Sequence, residues 1–136
     1  MSQPFRTRRR VEFGDTDMAG IAHFSNFFRY MESAETEYLN SLGLSVAWQE
    51  GERRLGFPRV SASCDYSSPA RFQDILDIVV TVENVGKKSV RYRFEFTRGG
   101  LEIATGRITA VFCHGAPDKP LESAEIPPQI RTKLEA

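Results

Sequence analysis

The sequence predicts an α+β domain in which one long central helix is wrapped by a curled five-stranded antiparallel sheet. One stretch has the 3.6-residue period of an amphipathic helix, and several have the two-residue period of half-buried strands. A length of 136 residues suits one domain, and a chain of this size buries about two-thirds of its unfolded surface. We therefore treat residues 1–136 as a single domain that needs no disulfide or metal for stability.

The long helix is predicted from Ser25 to Leu42, about 27 Å at 1.5 Å per residue. Ser25 is expected as the N-cap and Gly43 as the first residue beyond the end. The charged residues Glu32 and Glu35 are expected on the solvated surface of this helix. Apolar side chains recur through it at three- and four-residue spacing, namely Phe24, Phe27, Phe28, Met31, Tyr38, Leu39 and Leu42.

Strands are expected on both sides of the helix. The first runs from about Thr7 to Phe13, and its arginines are typical of a solvated sheet edge. Four longer strands follow Pro58 with alternating apolar residues, at about 60–66, 76–83, 90–97 and 104–112. After them, a short C-terminal helix is expected to begin at Pro127-Pro128. Because one helix covers one face and a sheet of this kind has free edges, we expect at least a homodimer.

Composition excludes several function classes. Lys+Arg and Asp+Glu number 18 each, so the chain lacks the basic excess of a nucleic-acid binder. No apolar run reaches the roughly 18 residues of a membrane span, and the N-terminus lacks the apolar stretch of a secretory signal. We therefore expect a cytoplasmic protein without membrane or nucleic-acid partners.

Metal and nucleotide cofactors are not expected. The histidines are His23 and His114, and the chain has no CxxC motif, no HExxH motif and no cluster of His with Cys. Cys64 and Cys113 are expected to be buried thiols. Gly-rich phosphate-binding motifs are missing as well.

The segment from Gly14 to Gly20 carries the candidate chemistry. It contains Asp15 and Asp17 and joins the first strand to the long helix. One interpretation is a solvated turn in which the aspartates accept hydrogen bonds from local backbone donors. In the other, the free N–H groups at the start of the helix, about 24–27, polarise a carbonyl oxygen and a nearby carboxylate attacks it or activates water.

This part of the chain resembles a known family. Residues 11–17 and 19–21, together with Asn26, resemble the signature of the 4-hydroxybenzoyl-CoA thioesterase family of hotdog-fold proteins. The likeness continues through the helix, residues 66–74 and residues 85–90. The resemblance implies a helix wrapped by five antiparallel strands, dimers that pair further into tetramers, and active sites at the dimer interface that hydrolyse an acyl-CoA thioester.

The resemblance also implies roles for single residues. Asp17 matches the catalytic carboxylate, as nucleophile or general base, and the backbone N–H of Phe24 would point at the thioester carbonyl. Gly20 would let the substrate approach, Asn26 belongs to the matched substrate site, and Asp15 would shape the loop. Many relatives carry Tyr where this chain has Phe24 and Phe27, which predicts a more apolar acyl pocket.

Other candidates follow from the chemistry of the substrate. His23 either bonds backbone and water near the helix start or assists catalysis as a donor to the thioester. Coenzyme A carries phosphates, which need cations or hydrogen-bond donors. The candidates lie in and after the Gly86 turn, namely Lys87, Lys88, Ser89 and Arg91. The alternative there is an ordinary solvated turn.

The leading hypothesis is therefore an acyl-CoA thioesterase that needs no cofactor. Two alternatives stay open: a non-catalytic module that binds acyl-CoA or an acyl carrier, and a hotdog dehydratase. The sequence leaves the acyl group undecided, and it does not separate a CoA thioester from a carrier-protein thioester.

Overall fold

The computed structural model describes residues 3–136, which form two α-helices, nine strands and a single 3-10 turn at Phe13–Asp15. The α-helices are α1 (Asn26–Ser41) and α2 (Pro128–Glu135). The strands are β1 (Phe5–Arg10), β2 (Ala47–Glu50), β3 (Arg53–Gly56), β4 (Arg59–Tyr66), β5 (Ile75–Val85), β6 (Ser89–Arg98), β7 (Leu101–Val111), β8 (Cys113–Gly115) and β9 (Glu122–Ser123). No helix within residues 3–136 is long and apolar enough to cross a membrane.

The expected five-stranded antiparallel sheet is confirmed, with strand order β1-β5-β6-β7-β4. Its central strand β6 turns Tyr92, Phe94 and Phe96 toward the helix, and all three are fully buried. Alternation along β6 produces this apolar face because successive side chains point to opposite sides of a strand. The sheet therefore curls around α1, with the core between them.

The central helix α1 forms because its apolar side chains recur at helical spacing and are buried together on one face. Its buried positions are Phe27, Tyr30, Met31, Ala34, Glu35, Tyr38 and Leu39, which lie on one face. The helix ends where Gly43 adopts φ +75° and donates to Asn40, while Leu44 donates to Leu39. This pair of bonds is a Schellman motif, which satisfies the last carbonyls of the helix.

Glu35 corrects the expectation of a solvated helix surface. It is completely buried, with its Oε1 atom 2.7 Å from Arg59 Nε. Burial raises the pKa of Glu35, and the Arg59 guanidinium partly opposes that shift. Glu32, in contrast, is exposed as expected and lies 3.7 Å from Arg59 Nη1.

A second sheet, in the order β2-β3-β8-β9, was not predicted. Each of its strands has four residues or fewer, which is too short to show a two-residue period. Trp48 on β2 is half-buried and packs against Phe57 and Phe112, with ring centroids 6.3 Å apart in each case. This small sheet closes the end of the core that lies away from the Asp17 loop.

Three further expectations need correction. The first strand ends at Arg10 rather than Phe13, because the chain turns into the 3-10 helix there. The strand predicted at 60–66 is half-buried only in part: Val60 is 63% and Tyr66 is 45% exposed. The free thiols Cys64 and Cys113 are half-buried rather than buried.

Candidate active site

The loop between β1 and α1 folds back on itself as a small hairpin. The Asp17 N–H donates to the Ile21 carbonyl at 2.9 Å, and the His23 N–H donates to the Asp15 carbonyl at 2.8 Å. Gly20 lies at the tip with φ +80°, a conformation that favours glycine. Asp17 follows Asp15 by two residues of extended chain. It therefore lies about 7 Å along the hairpin from the pair that Asp15 and His23 form.

Asp15 is held by structural hydrogen bonds. Its Oδ2 atom accepts from the Glu12 N–H and from the Tyr30 hydroxyl, both at 2.9 Å. Its carbonyl accepts from the Asn26 side-chain amide at 2.7 Å, in addition to His23. Burial first, and then the Asp15 carboxylate, raise the pKa of Tyr30. Asp15 and Asn26 therefore hold the loop against the helix. The Asn26 side-chain amide donates to the Asp15 carbonyl.

Asp17 is bound more loosely. Its Oδ1 atom accepts from the Ala19 N–H at 2.8 Å, an Asx-turn within the loop. Within residues 3–136, this carboxylate has no other hydrogen-bond or ion-pair partner. Asp17 is half-buried, so one oxygen remains available to a ligand.

The start of α1 presents one free backbone donor. The Phe24 N–H has no acceptor in the part of the chain that the structure describes. The carbonyl of the same peptide unit, that of His23, accepts from the Asn26 N–H at 2.9 Å. Hydrogen bonding at one end of a peptide strengthens the donor at the other, and the helix dipole adds positive potential there.

Ser25 is the N-cap residue, as expected, but its side chain makes no cap bond, and His23 organises the helix start instead. The Ser25 N–H donates to His23 Nδ1 at 3.3 Å, and Ser25 Oγ lies 2.8 Å from the same nitrogen. In the tautomer whose Nδ1 accepts from the Ser25 N–H, the ring donor is Nε2–H, and Nε2 has no hydrogen-bond partner within residues 3–136.

The predicted coenzyme A residues lie elsewhere in the chain. The turn at residues 86–88 joins β5 to β6 at the opposite end of the sheet from Asp17. Across the ten residues of β6 that separation is about 30 Å. Lys87, Lys88 and Arg91 are exposed, Ser89 is half-buried, and Lys87 lies 3.2 Å from Glu125. One chain alone does not bring these residues to Asp17.

A cavity of about 650 Å³ also lies at that opposite end. Its walls are mainly apolar and include Trp48, Leu55, Phe57 and Leu121, with Arg59 at one side. Pockets of 300–1,000 Å³ with apolar walls commonly bind small molecules.

Sequence reasoning missed one residue at the site itself. The Tyr66 hydroxyl, at the end of β4, donates to the Phe24 carbonyl at 2.9 Å. No local pattern connects residues that are 42 positions apart.

No three His, Cys, Asp or Glu side chains of residues 3–136 converge where they could hold a metal ion.

Together these groups suit one kind of reaction. A loop that carries a carboxylate with a free oxygen and leads to a free N–H at a helix start is equipped to attack a polarised carbonyl or to activate water against it. A helix wrapped by an antiparallel sheet that carries this loop defines the class of hotdog-fold thioester hydrolases.

Comparison with known proteins identifies the family. The model of the Thioesterase-like superfamily matches residues 11–134, so the chain belongs to that superfamily. A putative esterase of Aquifex aeolicus (strain VF5) is 36% identical over 101 residues, which are 74% of this chain and 78% of that protein. The 4-hydroxybenzoyl-CoA thioesterase of Pseudomonas sp. (strain CBS-3) is 32% identical over 100 residues, 72% of this chain and 71% of that one.

Solved structures agree with the sequence relatives. A gentisyl-coenzyme A thioesterase superposes with a TM-score of 0.80 at 28% identity, covering 96% of this chain and 99% of that chain. The resemblance drawn from the loop motif is thus confirmed, and so are the hotdog fold and the enzyme class, a thioester hydrolase.

Proposed function

We propose that this protein hydrolyses an acyl-CoA thioester to a carboxylate and free coenzyme A, with Asp17 as the reactive carboxylate. The observation that carries the proposal is that the loop leading into α1 holds both a free oxygen, on Asp17, and a backbone donor, the Phe24 N–H, that has no acceptor within residues 3–136. Relatives whose names state a CoA thioester substrate support the substrate class.

The proposed reaction has two forms. As a nucleophile, Asp17 bonds to the thioester carbon, the oxyanion forms next to the Phe24 N–H, and the coenzyme A thiolate leaves. Water then cleaves the resulting anhydride and restores the carboxylate. As a general base, Asp17 takes a proton from water as that water bonds to the thioester carbon; the C–S bond then breaks, and the coenzyme A thiolate leaves and takes up the proton, which restores the carboxylate. In both forms Phe24 stabilises charge that develops only in the transition state.

We propose further that the active enzyme is a homodimer joined through β4. Seven of the eight residues of this strand pair with β7, around a bulge between Arg59 and Ser61, and the other edge of β4 is open. Val60 and Tyr66 are largely exposed there, which is an aggregation hazard unless another strand covers the edge. Antiparallel pairing of two β4 edges would give one continuous ten-stranded sheet.

Such a dimer would unite the separated parts of the site. In one chain, Tyr66 marks the Asp17 end of β4 and Arg59 marks the end near Lys88, since Ala110 pairs with both Arg59 and Val90. Antiparallel pairing places the Arg59 end of one copy beside the Tyr66 end of the other. The turn at residues 86–88 of the partner then lies about 14 Å, or three strand spacings, across the sheet from β4 of the first copy.

The same arrangement supplies the acyl pocket. The partner's apolar cavity, with its Trp48 and Phe57 walls, would come to the end of the sheet where Asp17 lies. Phe24 is exposed beside this edge, and it adds apolar surface at the position where many relatives have Tyr. We therefore propose an acyl group with an apolar body.

Thiol release from a panel of acyl-CoAs tests the proposed function. Acetyl-, hexanoyl-, palmitoyl- and benzoyl-CoA span short, long and aromatic acyl groups. We expect the enzyme to release coenzyme A from at least one of them and the Asp17→Asn variant to release it far more slowly. No release from any acyl-CoA would refute the proposed function.

Subunit mixing tests the shared site. One parent carries Asp17→Asn, and the other carries Lys87→Ala with Lys88→Ala. In a mixed dimer, the intact Asp17 of the second parent meets the intact lysines of the first, so mixing should restore a low KM at one site. If the lysines serve their own chain, mixing restores nothing. Light scattering that shows a monomer near 15.4 kDa would refute the dimer itself.

A further inference from the structure

We propose that Tyr66 is a positioning residue for the oxyanion donor: its hydroxyl fixes Phe24 so that the Phe24 N–H points at the reacting carbonyl. This inference rests on the proposed function above. It assigns a role to a residue that lies outside the loop motif and on a different element of the fold.

The regular hydrogen bonds of α1 do not hold the backbone of Phe24, so contacts from outside the helix must do so. Phe24 precedes the first residue of α1, Asn26, by two positions, so the regular helix does not set its backbone. Its side chain is 61% exposed and stacks only on the neighbouring His23 ring, at 4.6 Å, and edge-on to Tyr66. Its carbonyl accepts one bond within the first turn, from the Phe27 N–H at a long 3.2 Å.

Tyr66 supplies the missing constraint. Its hydroxyl donates to the Phe24 carbonyl at 2.9 Å, which is shorter than the bond from Phe27. The Tyr66 ring packs edge-on against Phe27, which is buried in the core, with centroids 5.3 Å apart. The hydroxyl is therefore held by the core and the sheet, and it transmits that rigidity to Phe24.

Two hydrogen bonds then bracket the free N–H. The peptide that contains the Phe24 N–H is fixed at its carbonyl by Asn26, and the next peptide is fixed at its carbonyl by Tyr66. Rotation about either bond of Phe24 would break one of them. An oxyanion donor acts through its preset direction, because reorientation during the reaction would cost part of the stabilisation.

The chemistry of Tyr66 suits a constant structural donor. Burial, with a further contribution from Cys64, raises the pKa of Tyr66 to about 12, so the hydroxyl keeps its proton throughout the neutral range. Tyr66 therefore takes no part in proton transfer. Its removal should lower the rate without changing the shape of the pH profile.

The test compares Tyr66→Phe with Tyr92→Phe. The first variant keeps the ring contacts and removes the hydroxyl, with its bond to the Phe24 carbonyl and its contact with the Cys64 thiol. The second removes a buried hydroxyl that has no hydrogen-bond partner in residues 3–136, and it lies away from the site. We expect Tyr66→Phe to lower kcat about tenfold with KM within twofold, since loss of a whole oxyanion donor costs roughly 10²–10³-fold. We expect Tyr92→Phe to keep wild-type kcat.

An infrared measurement separates positioning from stability. The substrate turned over fastest in the acyl-CoA panel is labelled with ¹³C at the thioester carbonyl and bound to Asp17→Asn, with and without Tyr66→Phe. An aligned Phe24 N–H lowers the carbonyl stretching frequency of the bound ligand. Tyr66→Phe should bring the band back toward its position in free substrate.

Each outcome decides the matter. A smaller carbonyl shift together with reduced kcat supports the proposal. An unchanged band and unchanged kcat, with or without a lower Tm, overturns it and leaves the proposed function standing. Failure of the wild-type enzyme to release thiol from any acyl-CoA refutes the proposed function first, and the role of Tyr66 falls with it.

Discussion

The buried ion pair between Glu35 and Arg59 offers a sharp test of the energetics of this fold. Glu35 is completely buried in α1, whereas the Arg59 side chain is about one-third exposed on β4. Arg59→Met removes the guanidinium and leaves the carboxylate without a partner in the core. Breaking a buried pair in this way typically costs about 3–5 kcal/mol, and the part exposure of Arg59 favours the lower end.

The expected change in Tm follows from the chain length. The entropy of unfolding for 136 residues is about 0.29 kcal/mol/K, so that a loss of about 3 kcal/mol lowers Tm by roughly 10 °C. Circular dichroism at equal protein concentrations measures this shift. Glu35→Gln is the matched control, because the amide keeps the shape of Glu35 and leaves Arg59 in contact with water. Its loss should be much smaller.

The effect should also depend on pH. Burial raises the pKa of Glu35, so the folded protein holds this proton more tightly than the unfolded chain does. Stability from this group is therefore present below the ordinary carboxyl pKa and falls as pH rises toward the raised value. Arg59 opposes this rise in the pKa of Glu35. Without Arg59, the ionised Glu35 carboxylate therefore destabilises the fold more at neutral pH.

We therefore expect Arg59→Met to be more destabilising at about pH 7.5 than at about pH 5, and we expect Glu35→Gln to rescue it at the higher pH. Equal destabilisation at both values, or a double variant as unstable as the sum of its parents, would refute the reasoning.

Two further predictions concern binding and packing. Lys87→Ala with Lys88→Ala should raise KM for acyl-CoA at least fivefold and lower kcat little, because phosphate contacts bind ground and transition states alike. The same variant should be normal with an acyl-pantetheine substrate, and an equal loss there would contradict phosphate binding. Gly106→Ala should lower Tm by about 5 °C or more, because the added methyl group would overlap the Met31 sulfur. Gly14→Ala is the control, since a methyl group there meets no atom within 4 Å, and equal losses would contradict this account of packing.

The features that sequence predicts well are those with a long period. The central helix and the strands β5, β6 and β7 each extend over ten or more residues, so their apolar repeats stand out against chance. The second sheet lacks such a repeat because its strands are too short. The end of β1 was missed because Asp15 and Glu12 form reciprocal bonds that turn the chain into a 3-10 helix.

The sequence pointed to the loop of the candidate site but not to the residues that support that loop. Asp17 and the helix start are neighbours in sequence, so a local motif reveals them. Tyr66 reaches Phe24 across the fold, and only the pairing of β4 with β7 brings it there. Glu35 carried a usable signal, since it follows Met31 by four positions on the apolar stripe of the helix. The sequence offers Lys87 and Lys88 as phosphate-binding candidates, but one chain does not bring them to Asp17.

The central claim, that Asp17 carries the reaction, is tested most directly by comparing Asp17→Asn with Asp15→Asn. Both changes remove one charge from the same hairpin, but Asp17 has a free oxygen and Asp15 bonds Glu12 and Tyr30. On the fastest substrate, Asp17→Asn should lower kcat by about 10²–10⁴-fold or more with little change in Tm. Asp15→Asn should lower Tm by about 3 °C, the equivalent of about 1 kcal/mol, with a much smaller effect on kcat. An Asp17→Asn enzyme that keeps more than a tenth of the wild-type kcat would contradict the claim.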